Sequence, residues 1–211
     1  MKRNIITILF LLIGATSAYS QEIQTIFRNN GTGHGGYGAI TNKFTTINGE
    51  FANMCGIYGG WYINHKFLVG VSAAAVTNDI RVPQKYSVNP DIPMSYEFGQ
   101  VGLVTEYVLG SNKAVHFAFN LFTGAGFTVQ YDREGYGDEW EWHDDDDDSH
   151  HDENWFFVAE PGVQVEVNIT RWMRFSPGVS YRIASGSDGL GLSDAKLSDM
   201  SYNLTLKFGK F

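Results

Sequence analysis

The chain contains a single cysteine, Cys55, and only five prolines in 211 residues. One cysteine excludes an internal disulfide. Its place within an alternating segment, rather than just after a signal, excludes a lipoprotein anchor. Positive charge is scarce: 15 Lys and Arg stand against 23 Asp and Glu, a formal net charge of -8. Phosphate-loop, dinucleotide and nucleic-acid signals are absent, and an acidic outer face repels nucleic acid, so no nucleic-acid partner is expected. Beyond the amino terminus no apolar run is long enough for a helix to cross a bilayer, so only a barrel of strands can put this chain through a membrane. Three of the prolines, Pro83, Pro90 and Pro93, fall together, which excludes a central strand over 78–94 and leaves a long loop there.

What is present begins with a secretory signal. Lys2 and Arg3 precede the apolar run 5–13, and Ala18-Tyr19-Ser20 forms a small-x-small cleavage site. The expected division is a signal peptide over 1–20, a short leader over 21–34 and one domain over 35–211. About 190 mature residues suit a single all-β barrel. An aromatic content of 15% and 24 glycines favour tightly turning strands over helices.

The period is two. From Trp155 to Ile169 the odd positions are mostly apolar, while Glu160, Gln164, Glu166 and Asn168 occupy the other face. After a turn at Ile169, Thr170 and Arg171 the pattern repeats: Phe175, Val179, Tyr181 and Ile183 alternate with Arg174, Ser176, Ser180 and Arg182. Long strands with one apolar face and one face charged in both signs suit a transmembrane barrel, apolar outward and polar inward. Further strands are expected over 35–47, 51–63, 67–77, 95–109, 114–131 and 202–208, which makes an eight-stranded antiparallel up-and-down transmembrane β-barrel of the all-β class. Short connections alternate with long ones, except at the hairpin turn Asn48-Gly49, so both termini fall on the short-turn, periplasmic side. Pro161-Gly162 and Pro177-Gly178 lie inside two adjacent strands. If Glu166 faces Arg174 across the turn, the two pairs are nearly opposite and predict a shared kink or bulge. The competing fold is a soluble lipocalin-type barrel holding an apolar ligand, which would place Glu166, Arg174, Arg182 and Lys207 outside and the aromatics within.

Two segments carry a family resemblance. Lys43-Phe44-Thr45-Thr46-Ile47-Asn48-Gly49-Glu50-Phe51 and Gly59-Gly60-Trp61-Tyr62-Ile63-Asn64-His65-Lys66-Phe67 resemble small outer-membrane β-barrel proteins of Bacteroidetes-type bacteria. The resemblance implies fold and location, and carries no catalytic residues. The terminal Phe211 looks like the signal read by the barrel-insertion machinery, although Leu204, Leu206 and Phe208 are out of step with it, which makes Phe208 the alternative anchor.

The net charge is concentrated in one segment. Between residues 132 and 153 twelve acids stand against Arg133 alone, a local charge of -11. Its carboxylates suit hard cations and its histidines suit transition metals. The candidate metal ligands are therefore His143, Asp144, Asp145, Asp146, Asp147, Asp148, His150 and His151, although their spacing matches no EF-hand or structural zinc site. A divalent cation is the one cofactor in view. In the lumen Glu160, Glu166, Arg174 and Arg182 are expected to form ion pairs rather than a polar path, because eight strands enclose no aqueous channel. His116, Ser176 and Glu160 together evoke a hydrolase, but no nucleophile motif surrounds Ser176, and the expectation is a non-enzymatic monomer whose partners are outer-membrane lipid and the insertion machinery.

Overall fold

A computed structural model describes residues 35–64, 66–133 and 152–211. Ten strands follow one another in the order β1 (Gly35–Ile47), β2 (Glu50–Ile63), β3 (Phe67–Val76), β4 (Ile80–Arg81), β5 (Met94–Leu109), β6 (Val115–Asp132), β7 (Asn154–Asn168), β8 (Met173–Tyr181), β9 (Ile183–Ser185) and β10 (Met200–Gly209). β8 and β9 are one barrel strand interrupted at Arg182, since both pair with β7 in the same register. β4 is a short extension alongside β5. All pairings are antiparallel, β1 pairs with β10, and β3 pairs with β5, so eight long strands close on themselves. The 78–94 segment is a loop apart from β4 and the 3-10 turn Gln84–Tyr86.

The registers fix the geometry. Cross-strand partners run from Phe67 through Tyr107, Phe119, Val163, Val179, Tyr202 and Phe44 to Asn53. The backbone of Asn53 then accepts from Thr77 N–H at 2.8 Å, so one circuit returns to the same barrel strand ten residues further on, at 77 from 67. With eight strands, that stagger tilts them by about 40° to the barrel axis. Ten residues at this tilt rise about 25 Å, the height of the apolar band of a transmembrane barrel. Sharp curvature is accommodated where glycines face each other: a Cβ at Gly60 or at Gly102 would collide with a carbonyl oxygen of the neighbouring strand.

Side chains alternate as the period requires, and their direction decides between the two folds. Glu166, Arg174, Arg182 and Lys207 are buried in the lumen, while Ile57, Trp61, Val71 and Tyr202 are each more than 60% exposed on the outside. A lipocalin has the opposite facing. Outward aromatics gather in two belts. Trp61, Tyr107, Phe117 and the stacked pair Trp172–Phe208 lie toward the short turns, and Phe51, Phe157 and the Phe127–Trp155 pair lie toward the long connections. Such belts mark the two edges of a bilayer. The Asn48-Gly49 hairpin has positive φ at both residues (54° and 79°), the backbone of a type I′ turn.

Two local expectations are corrected. Glu166 does not face Arg174: Asn168 does, and the turn is centred one residue later than expected. The cause is at Met173, whose carbonyl accepts from both Ile169 N–H and Thr170 N–H, leaving Trp172 inside the turn. Pro161-Gly162 and Pro177-Gly178 form no bulge. Gln164↔Gly178 and Val167↔Phe175 keep one register on either side of the gap in the ladder, so no residue is inserted. The gap arises because Pro177 has no N–H to give. At the carboxyl end Phe208 has the lipid-facing parity, whereas Phe211 turns under the barrel against Tyr37 and Tyr62.

Candidate functional site

The lumen is filled in three tiers. Nearest the termini, Lys207 on β10 donates to Glu106 on β5 at 2.5 Å and also to Glu166 on β7. Arg174 on β8 reaches Glu166 Oε2 at 3.1 Å, and His116 Nε2 on β6 lies 2.8 Å from the same oxygen. His116 Nδ1 faces the Lys113 carbonyl at 3.1 Å. Tyr62 and Tyr37 hydroxyls donate to Glu106 at 2.7 and 3.1 Å. Two carboxylates are thus matched by one ammonium and one guanidinium, with further donors on the remaining lone pairs. That arrangement offsets the cost of withdrawing four charges from water. The ring of Phe211 lies beneath, its centre 3.9 Å from the Arg174 guanidinium carbon.

In the middle tier Glu160 is gripped by Lys43 at 2.8 Å to each oxygen, by Ser180 Oγ at 2.5 Å and by Gln100 Nε2 at 3.1 Å. A void of about 30 Å³ remains between the two networks, lined by Lys43, Asn120, Gln164 and Asn203 among others. Asn120 Oδ1, Gln164 Oε1 and Asn203 Oδ1 are buried without a protein partner. The space has the volume of a water or two, and those acceptors are the partners such a water would bond.

The upper tier is apolar. Phe98, Phe156, Val158 and Met54 pack there with Leu192 and Leu197, which arrive from the 186–199 connection rather than from a strand. Arg182 fastens that connection: its Nε donates to the Leu197 carbonyl at 2.5 Å, its Nη2 to the Thr46 carbonyl at 2.8 Å, and its guanidinium lies 4.8 Å above the Phe98 ring. The Asn48 N–H donates to the Lys196 carbonyl at 2.9 Å, tying the hairpin turn to the same cap. Beside them Tyr86, from the 78–94 connection, carries Lys85 at 4.5 Å and Lys196 at 5.1 Å over its ring. At the end of the cap a hydrogen bond from the Thr46 hydroxyl holds the Asp199 carboxyl below its usual range, helped by the Met200 N–H and the Arg182 charge against the opposing effect of burial.

Of the residues expected to pair in the lumen, Glu166 and Arg174 meet each other, Glu160 meets Lys43, and Arg182 is held by carbonyl oxygens instead of a carboxylate. Lys43, Glu106 and Lys207 belong to these networks and were not among the site residues expected from sequence. The only signal for them was a charge at an inward position of an apolar strand. His116 and Ser176 both approach Glu166, Ser176 at 3.5 Å, and Glu160 lies in the other network; no bond joins Ser176 to His116 among the described residues. A serine nucleophile needs its base within hydrogen-bond reach. The candidate metal ligands His143, Asp144 to Asp148, His150 and His151 lie outside the described residues. Cys55 is exposed on the outer face, with Asn42 Nδ2 3.6 Å from its sulfur.

These features define a class: a closed eight-stranded transmembrane β-barrel with an apolar outer surface, a lumen packed by paired charges and a capped mouth. No family model and no curated protein matches the sequence. Among solved structures the chain is similar to Neisserial surface protein A, at 9% identity with a TM-score of 0.57, covering 84% of this chain and 97% of that one. It also matches Ail, the attachment invasion locus protein of Yersinia pestis (12% identity, TM-score 0.48, 84% and 98% covered) and a major outer membrane protein from Thermus thermophilus (9%, 0.47, 82% and 99%). At 9% identity the likeness to Neisserial surface protein A is one of fold.

Proposed function

We propose that the chain is a non-enzymatic outer-membrane protein that spans the membrane as a sealed barrel and presents its loop side to the exterior. The observation that carries this reading is the charge-paired lumen, in which Lys207, Glu106 and Glu166 are fully buried, capped above by the 186–199 connection. A channel would need a continuous wet path, and the side chains of an eight-stranded barrel fill its interior. The apolar belt and the two aromatic girdles support residence in a bilayer. The fold likeness to outer-membrane barrels and the motifs at 43–51 and 59–67 support the outer membrane of Bacteroidetes-type bacteria. Purified protein inserted in a planar lipid bilayer is expected to leave the baseline current unchanged, and stepwise openings would overturn the sealed reading.

We place cation attraction in the acidic segment, whose ends are held at the barrel mouth by β6 and β7. Five successive aspartates repel one another, and a divalent ion relieves that repulsion. Titration calorimetry is expected to show calcium heat that persists from about pH 7.5 to about pH 5.5. Any zinc heat should fade over the same interval as His143, His150 and His151 protonate near 6.5. No saturable heat from either metal would remove the cation role and leave a solvated acidic loop.

A further inference from the structure

Two recesses on the outer face line up along β3 and β5. The lower one, about 500 Å³, is a furrow: Gly38 and Gly59 contribute no side chain and Ala73 only a methyl, while Ile57, Val71 and Val101 stand as its walls. One step further toward the loops the pair Ala73↔Val101 gives way to Ala75↔Gly99, two equally small residues on the same face. Gly99 leaves room for the Phe127 ring, whose edge would collide with a Cβ there. Above this step opens a second recess of about 430 Å³, lined by Asp79, Glu97, Tyr131 and Arg133 among others. It sits beside the Phe127–Trp155 belt, at the height of the lipid headgroups.

The upper recess carries both signs of charge. Arg133 is oriented by bonds from Nε to Ser95 Oγ at 3.1 Å and from Nη2 to the Met94 carbonyl at 3.3 Å. Tyr131 donates to Asp79 Oδ1 at 2.9 Å. Glu97 is partly buried, faces outward, and its carboxylate makes no hydrogen bond or ion pair among the described residues. A half-desolvated carboxylate at a membrane edge is costly without a cationic partner. A purely anionic headgroup would meet Glu97 and Asp79, and a purely cationic one would meet Arg133.

Resting on the membrane-barrel reading above, we propose that the two recesses form one lipid-binding site for a headgroup that joins a phosphate to a primary amine. The phosphate sits against Arg133, the ammonium against Glu97 and Asp79, and an acyl chain descends along Ala75 and the Phe127 ring, which covers Gly99, into the furrow. Charge-assisted bonds to both ends of the headgroup set the preference, and the small residues Gly38, Gly59 and Ala73 leave the chain its place in the furrow.

The test is native mass spectrometry of the full mature chain in a non-ionic detergent, supplied with phosphatidylethanolamine or phosphatidylglycerol bearing identical acyl chains. The ethanolamine lipid is expected to be retained about tenfold more strongly, and Glu97→Gln should reduce that preference to near unity while leaving the folded gel band intact. Ala73→Phe, which fills the furrow, should weaken both lipids. Equal retention of the two lipids by a folded barrel, or an unchanged preference in Glu97→Gln, would overturn the site. Failure of the unmodified chain to fold in detergent would instead overturn the membrane reading beneath it, so the two failures are told apart.

Discussion

Replacing Glu166 by glutamine should destabilise the folded barrel by about 3 to 5 kcal/mol, the cost of leaving buried charges without their counter-charge. Glu166 is fully buried and is the shared acceptor of Lys207, Arg174 and His116. The glutamine keeps the volume and one acceptor oxygen but removes the negative charge, so Lys207 retains Glu106 while Arg174 loses its carboxylate. Urea unfolding in detergent micelles, followed by the shift between folded and unfolded gel bands, measures the loss. Lys207→Met alone should cost a similar amount by stranding Glu106, while Glu166 keeps Arg174. The double variant should lose clearly less than the two single losses added, because neighbours in one ion network are not additive. Strict additivity would mean that the charges act separately and that the network does not exist in solution.

An arginine on the outer face should be nearly as damaging for a different reason. Leu204 and Leu190 are equally exposed, 46% each, but Leu204 lies half-way along β10 and Leu190 in the capping connection above the barrel. In water the two substitutions would be equally harmless. In a bilayer Leu204→Arg sets a charge in hydrocarbon and should cost about 2 to 4 kcal/mol, while Leu190→Arg should stay within about 0.5 kcal/mol. Reversible unfolding in lipid vesicles compares them, and equal tolerance would mean that hydrocarbon does not surround β10.

The strands and their faces were legible because a two-residue period survives any shift of neighbours: Val163 and Val165 against Gln164 and Glu166 determine a face without reference to another strand. The expected strand limits differ from the observed ones by a few residues at most. The partners of the buried charges were not legible. Lys207 finds Glu106 across 101 positions of sequence and Lys43 finds Glu160 across 117. Which residues meet across the lumen depends on the stagger of the closed sheet, and that stagger is the sum of eight registers, none of which appears in one strand's pattern. One register was misjudged by two residues, because the Met173 carbonyl captures two N–H groups and draws Trp172 into the turn. The cap was hidden by composition. The 185–198 stretch is rich in Gly, Ser and Asp and reads as an open loop, yet Leu192 and Leu197 sit in the upper core, with Arg182 bonded to the Leu197 carbonyl. Two leucines in an otherwise polar connection were the available signal.

Oxygen and nickel-chelate accessibility of spin labels along β10, in a Cys55→Ala chain folded into lipid vesicles, tests the facing of the barrel most directly. Labels replacing Tyr202, Leu204 and Leu206 should meet oxygen from the hydrocarbon and be shielded from the water-soluble chelate. Labels at Asn203 and Thr205 should be shielded from both within the packed lumen, giving a period of two along the strand. Chelate access at Tyr202, Leu204 and Leu206, or no alternation at all, would contradict a transmembrane barrel with its charges inside.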